Sequence, residues 1–228
     1  MNLGMKNIYP MLNGNFLLSC LLLFSCAEHK GHSMELSKEK LRPHVNYDTA
    51  TFGTGCFWCT EAIFERLNGV VKVTSGYGGG NVLNPTYEEV CTGTTGHAEC
   101  CQIVYSPDVI SYDELLEVFW KTHDPTTLNR QGNDVGTQYR STVFYHTPEQ
   151  KEKAEYYKKE LDSSGAFKDP IVTTIEPFKN FYSAEAYHQE YYNSNPSQMY
   201  CRFVIMPKIE KFEKVFKDKL KSNSLSQK

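Results

Sequence analysis

Between Thr49 and Lys221, short β-branched runs and amphipathic helical stretches follow one another, with no Pro-, Gly- or Ser-rich linker, low-complexity block or internal repeat to divide them. That interleaving points to one mixed domain of strands and helices around a single core. Thr49-Ala-Thr-Phe52 reads as a short strand, Gly53-Thr-Gly55 as a tight turn, and Trp58 to Leu67 as a helix with Ile63, Phe64 and Leu67 on one face. Val70 to Thr74 is strand-like, and Gly76-Tyr-Gly-Gly-Gly80 with Asn84-Pro85 reads as a long irregular loop. Cys101 to Tyr105 is a second clear strand. Ser111-Tyr-Asp-Glu114 has capping-box spacing and predicts a helix from Tyr112 to about His123, which Pro125 stops. The polar stretch Thr126 to Gln138 reads as a loop, and Ser141 to Tyr145 as a third strand. Thr147-Pro-Glu-Gln150 caps a helix reaching about Leu161, Ile171 to Ile175 is a fourth strand, and Ser183 to Tyr192 is a short helix. A last helix, Lys208 to Lys221, carries Ile209, Phe212, Phe216 and Leu220 on one stripe. Its lysines are diluted by Glu210, Glu213 and Asp218, so the polar side reads as a solvated face rather than a membrane surface.

Upstream of this domain, Phe16 to Phe24 forms a nine-residue apolar core after Lys6, as a secretory signal requires, and is too short to span a bilayer. Leu23-Phe-Ser-Cys26 resembles a bacterial lipobox, in which cleavage leaves Cys26 as the lipid-bearing N-terminus; an ordinary signal peptide or a start-site extension is the alternative. The expected organisation is a signal peptide over 1–25, a flexible tether over 26–47 rich in Lys, Glu, His and Ser, and the domain over 48–228. The lipobox places the protein in the bacterial cell envelope as a lipoprotein, on the membrane by its lipid anchor only.

A formal charge of −3, from 24 Lys+Arg and 27 Asp+Glu, supplies no positive field for polyanions and argues against nucleic acid. Of eight cysteines, six fall in the mature domain, spaced unlike a disulfide scaffold and in a chain long enough to bury a core without staples. A zinc site built from Cys56 and Cys59 would need Cys100, Cys101 or His97, and the vicinal pair suits tetrahedral chelation poorly, so no metal is expected. Thioredoxin-like exchange through Cys56-x-x-Cys59 is the closer rival.

The chemistry begins at Gly55-Cys-Phe-Trp-Cys-Thr-Glu61, which sets Cys56 at a strand-to-helix junction. A thiol there meets unpaired N–H groups and the positive end of the helix dipole, which favour thiolate and make Cys56 the expected nucleophile. Phe57 and Trp58 beside it suit either a core or a pocket for an apolar group.

The motif resembles the signature of the A class of peptide methionine sulfoxide reductases. The likeness continues through Gly76–Gly80, Asn84–Cys91, Thr95-Gly-His-Ala-Glu99, His123-Asp-Pro125, Gln131–Asp134, Gly136–Ser141 and Ala184-Glu-x-Tyr-His188, covering roughly residues 48 to 217. The resemblance implies an α+β two-layer sandwich with a ferredoxin-like core. It implies reduction of methionine-S-sulfoxide, free or in proteins: Cys56 attacks and Glu99, its pKa raised by burial, gives the oxygen a proton. It assigns Tyr87 and Tyr139 to the sulfoxide oxygen, Asp134 to the polar side of the substrate, and Phe57 and Trp58 to a wall that receives the methyl group. The resulting sulfenic acid condenses with a second thiol. Cys201 matches the family's recycling cysteine, and Cys59 is the alternative, although a helix start holding both Cys56 and Cys59 constrains disulfide geometry. No cofactor is bound; a thioredoxin-like protein donates electrons, and the enzyme is expected to be a monomer. Cys91 should pack as a small buried hydrophobe. On a strand, Cys100 and Cys101 face opposite sides, one toward the core and the other toward solvent. The rival reading is a general CxxC thiol-disulfide oxidoreductase of the envelope.

Overall fold

A computed structural model describes residues 46–222. The expected signal peptide, Cys26 and nearly all of the expected tether lie outside the described residues.

In chain order the regular elements are β1 (Asp48–Thr54), α1 (Phe57–Phe64), β2 (Val70–Gly78), α2 (Tyr87–Cys91), β3 (Ala98–Tyr105), α3 (Tyr112–Thr122), β4 (Arg130–Gln131), β5 (Asp134–Val135), β6 (Ser141–Tyr145), α4 (Pro148–Ser164), β7 (Thr174–Pro177), β8 (Phe181–Ser183), α5 (Tyr191–Ser194) and α6 (Met206–Val215). The main sheet has the order β7-β6-β1-β3-β2-β8. Within it β1 runs antiparallel to β3 and β6, β2 antiparallel to β3 and β8, and only β6 and β7 are parallel. With α1 between β1 and β2 and α3 between β3 and β6, the four inner strands form the expected βαββαβ ferredoxin-like core of an α+β domain. Phe52 on β1 joins the layers: its ring lies 5.6 Å from Phe64 of α1 and 5.1 Å from Phe119 of α3. All three rings are buried, each removing some 1.5–3 kcal/mol worth of apolar surface from water.

The departures from the predicted elements have local causes. Strand β2 continues through Gly76-Tyr-Gly78 because these residues pair with β8, and a Cβ at Gly76 would collide with the Tyr182 carbonyl and the Phe181 ring. The predicted helix Ser183 to Tyr192 does not form. Ala184 N–H donates to the Ser75 carbonyl, Gln189 hydrogen-bonds both main-chain groups of Ser75, and Glu190 adopts a left-handed φ of 49° that no helix continues through. Helix α2 was not predicted, though Thr86 and Glu89 form a complete capping box before it. The C-terminal helix starts earlier, after a π-helical turn over Cys201–Ile205, and its lysines are not merely solvated: Lys219 pairs with Glu114 at 2.6 Å and Lys208 turns inward.

Candidate active site

Gly55 places Cys56 where it is. Its φ of 92° suits glycine, and a Cβ there would stand 2.5 Å from Cβ of Gln131. The chain thus turns out of β1 straight into α1, with Cys56 at the N-cap. The sulfur does not receive the helix end as expected. The Phe57 N–H donates instead to Oε2 of Glu99, at 3.1 Å, so the carboxyl on β3 takes the first free donor of α1. Cys56 is only 7% exposed, and burial, the neighbouring Cys59 and Glu99 push its thiol well above the ordinary range rather than toward thiolate. The proton shared between the two thiols gives way at the other sulfur: the hydrogen bond from Cys56 and the Lys208 ammonium pull Cys59 down to about 7. Glu99 is 1% exposed, and burial raises it to about 8, so it is an acid at neutral pH as expected.

Around this pair stand side chains from four regions. Tyr87 opens α2, its N–H donating to Glu185, which also accepts from the Tyr77 hydroxyl. Asp134 on β5 and Tyr139 in the following 3-10 turn come from one loop, which the buried Gln131 fastens by accepting from Asp124 N–H and donating to its carbonyl. Burial raises both phenols, so they remain neutral. Trp58 lies flat on Tyr191, with ring centroids 3.7 Å apart, and donates its indole N–H to Nδ1 of His188 at 3.2 Å. Phe57 is buried beneath, against Tyr77 and His188. The structure therefore brings Cys56, Glu99, Tyr87, Tyr139, Asp134, Phe57 and Trp58 to one place.

A sequence model described as peptide methionine sulfoxide reductase matches residues 48–220. The chain belongs to this family. It is 55% identical over 174 residues to a peptide methionine sulfoxide reductase MsrA of Saccharolobus solfataricus, covering 76% of this chain and 97% of that one. It is 53% identical over 190 residues to the MsrA 1 of Rhodopirellula baltica, covering 83% and 96%. Among solved structures it is similar to methionine sulfoxide reductase A of Corynebacterium diphtheriae, with a TM-score of 0.61, 39% identity and coverage of 68% of this chain and 78% of that one. Reduced Mxr1 of Saccharomyces cerevisiae aligns with a TM-score of 0.62 at 38% identity, over 68% and 90%.

In this methionine sulfoxide reductase fold the C-terminal segment lies over the site. Cys201 and Ile205 pack with Cys56, Cys59 and Ala62 in one buried cluster, bordered by Trp58, Tyr191 and Tyr200. Tyr200 and Tyr191 were missed from the sequence. Tyr200 donates to Asp134 at 2.7 Å and hydrogen-bonds Cys56. Its position immediately before Cys201 and the abundance of tyrosine were the available signals. Two cysteine expectations change. Cys91 is exposed at the end of α2, beside the Tyr87 hydroxyl, because so short a helix leaves its last residue outside the core. Cys100 and Cys101 do face opposite sides, but both are buried: Cys101 donates to the Phe57 carbonyl, while Cys100 packs with Ala98 and Phe144 on the other face. The sheet is covered on both sides at that point. Among the described residues no three His, Cys, Asp or Glu side chains converge to hold a metal ion.

Proposed function

We propose that this chain reduces methionine-S-sulfoxide, free or in proteins, to methionine. The observation that carries the reading is the buried Glu99 carboxyl fixed to the N–H of the residue after Cys56. A sulfoxide oxygen leaves sulfur only if it is protonated as the thiolate attacks, and a carboxyl raised to about 8 holds that proton at neutral pH. Tyr87 and Tyr139 direct their hydroxyls at the oxygen, Asp134 takes a polar group of the peptide, and Phe57 with Trp58 receives the methyl. One oxygen passes from the substrate to Cys56, methionine leaves, and Cys56 becomes a sulfenic acid that Cys201 or Cys59 converts to a disulfide with loss of water. Two thiols supply both electrons, so no bound cofactor enters, and a thioredoxin-like dithiol restores the enzyme. A general thiol-disulfide oxidoreductase would have no use for Glu99 or the aromatic wall, and that reading is not favoured.

Lipidation at Cys26, a place in the cell envelope and a monomeric enzyme complete the proposal; the lipobox-like Leu23–Cys26 supports the first two. Intact mass of the mature protein should show a diacylated N-terminal cysteine. Epimer-resolved assay with dithiothreitol should show loss of the S-sulfoxide alone, with no reaction in Cys56→Ser. Consumption of the R epimer at the same rate would contradict the assignment.

A further inference from the structure

Glu185 takes no part in the chemistry above, yet each of its carboxylate oxygens is committed to a different wall of the site. Its Oε1 accepts from the Tyr87 N–H at 2.9 Å and its Oε2 from the Tyr77 hydroxyl at 2.8 Å. Burial pushes this carboxyl up, but the hydrogen bonds from its own N–H, from Tyr87 and from Tyr77 outweigh it and hold Glu185 below the usual range, as an anion that accepts at both oxygens. Tyr77 stands directly opposite Glu99 in the pairing of β2 with β3, is 1% exposed, and lies 5.9 Å from the Phe57 ring. The chain at Glu185 is itself fastened to β2, through the Ala184 N–H on the Ser75 carbonyl.

Helix α2 needs a directional tie of this kind. Of its five residues only Val90 is buried, and burying one apolar side chain does not orient a helix. Beyond its far end the Thr137 hydroxyl donates to the Gly93 carbonyl, so the turn that bears Tyr139 is fastened to the chain leaving α2. The phenols of Tyr87 and Tyr139 are thus carried by one linked unit, and Glu185 joins that unit to the strand that backs Phe57.

We propose that Glu185 is a positioning residue that decides which sulfoxide epimer is reduced, by fixing the two phenols relative to the Phe57 and Trp58 wall. The sulfur of the substrate carries an oxygen, a methyl group and the rest of the side chain. With that side chain entering from one direction and the sulfur within reach of Cys56, the two epimers exchange the places of oxygen and methyl. A site tells them apart only as well as its oxygen donors and its methyl wall are held at a fixed mutual position. The wall and the acid are built on α1 and β3, inside the core, so the freedom that Glu185 removes is that of α2.

The inference rests on the repair reading, and one set of assays separates the two. Consumption of the S and the R epimer of free methionine sulfoxide is measured separately with dithiothreitol, the R epimer with enzyme in large excess. A wild type that consumes neither epimer, or both at the same rate, would defeat the repair reading itself. Given an S-selective wild type, Glu185→Ala should lower the S rate and raise the R rate, with their ratio falling by about 10²-fold, the scale set by a misplacement of about 1 Å at a reacting centre. Glu185→Gln, whose amide keeps one acceptor oxygen, and Tyr77→Phe, which removes only the tie at Oε2, should fall between Glu185→Ala and wild type. Loss of folded enzyme alone lowers both rates together and leaves their ratio where it was. An R rate no higher than that of the wild type in the variants that circular dichroism shows to be folded, or an unchanged ratio in them, would overturn the inference.

Discussion

Glu99 and the Cys56/Cys59 pair divide the chemistry between two opposed titrations. Catalysis needs one thiolate in the pair, which forms as pH rises through about 7, and a protonated Glu99, which is lost as pH rises through about 8. The single-turnover rate of methionine formation should therefore be a narrow bell between those limits. Glu99→Gln should lower it by about 10²- to 10⁴-fold and remove the alkaline limb while leaving the acid limb in place. A persisting alkaline limb in that variant would assign the acid role to another group. Glu99 was legible only through its motif, since an isolated carboxylate on a strand looks like a surface residue. Tyr200 had only its place before Cys201 to mark it, and Lys208 had nothing: where their side chains go depends on a distant segment folding back, which local spacing does not encode.

At the scale of elements, α1 supports two structures at once. Its outer end holds the sulfur, and its buried Glu61 faces the backbone N–H groups of Glu190 and Tyr191 together with the Ser75 hydroxyl. Burial outweighs the pull of those three groups and leaves Glu61 raised to about 7, with its carboxyl anchored beneath the turn where Glu190 takes its left-handed φ. Glu61→Ala should remove the acceptor of the Glu190 and Tyr191 N–H groups, a loss of about 1–3 kcal/mol. Hydrogen exchange should then quicken across residues 190–200 while β1 and β3 stay protected; uniform loss of protection would show a global effect instead. The elements that sequence patterns predicted well are those with local signals: β6 has the predicted bounds, and Ser111 caps α3 with Glu114 as its spacing implies. Those that escaped, β8 and the broken segment after it, are decided by pairing with β2, more than a hundred residues away in the chain.

Across the whole molecule, the sheet order carries β1 and β3 to the centre, so the turn bearing Cys56 and the strand bearing Glu99 are neighbours in the register Phe52 to Cys101. Phe57, Trp58 and Cys59 follow on α1, and the remaining groups arrive from insertions and from the C-terminal segment. That segment brings Tyr200 onto Asp134, the carboxylate proposed for the polar side of the substrate. Tyr200→Phe should accordingly lower KM for a sulfoxide-containing peptide several-fold, in proportion to the fraction of Asp134 it releases. A raised KM would instead make the hydroxyl a substrate ligand.

The protein thus supplies an internal rival for its own recognition group, tethered in the same chain and present at a fixed effective concentration however dilute the enzyme becomes. Damaged chains that offer several contacts can oust this rival, whereas a lone amino acid has less binding energy with which to do so. On this account Tyr200→Phe should lower KM more for free methionine sulfoxide than for a sulfoxide-containing peptide.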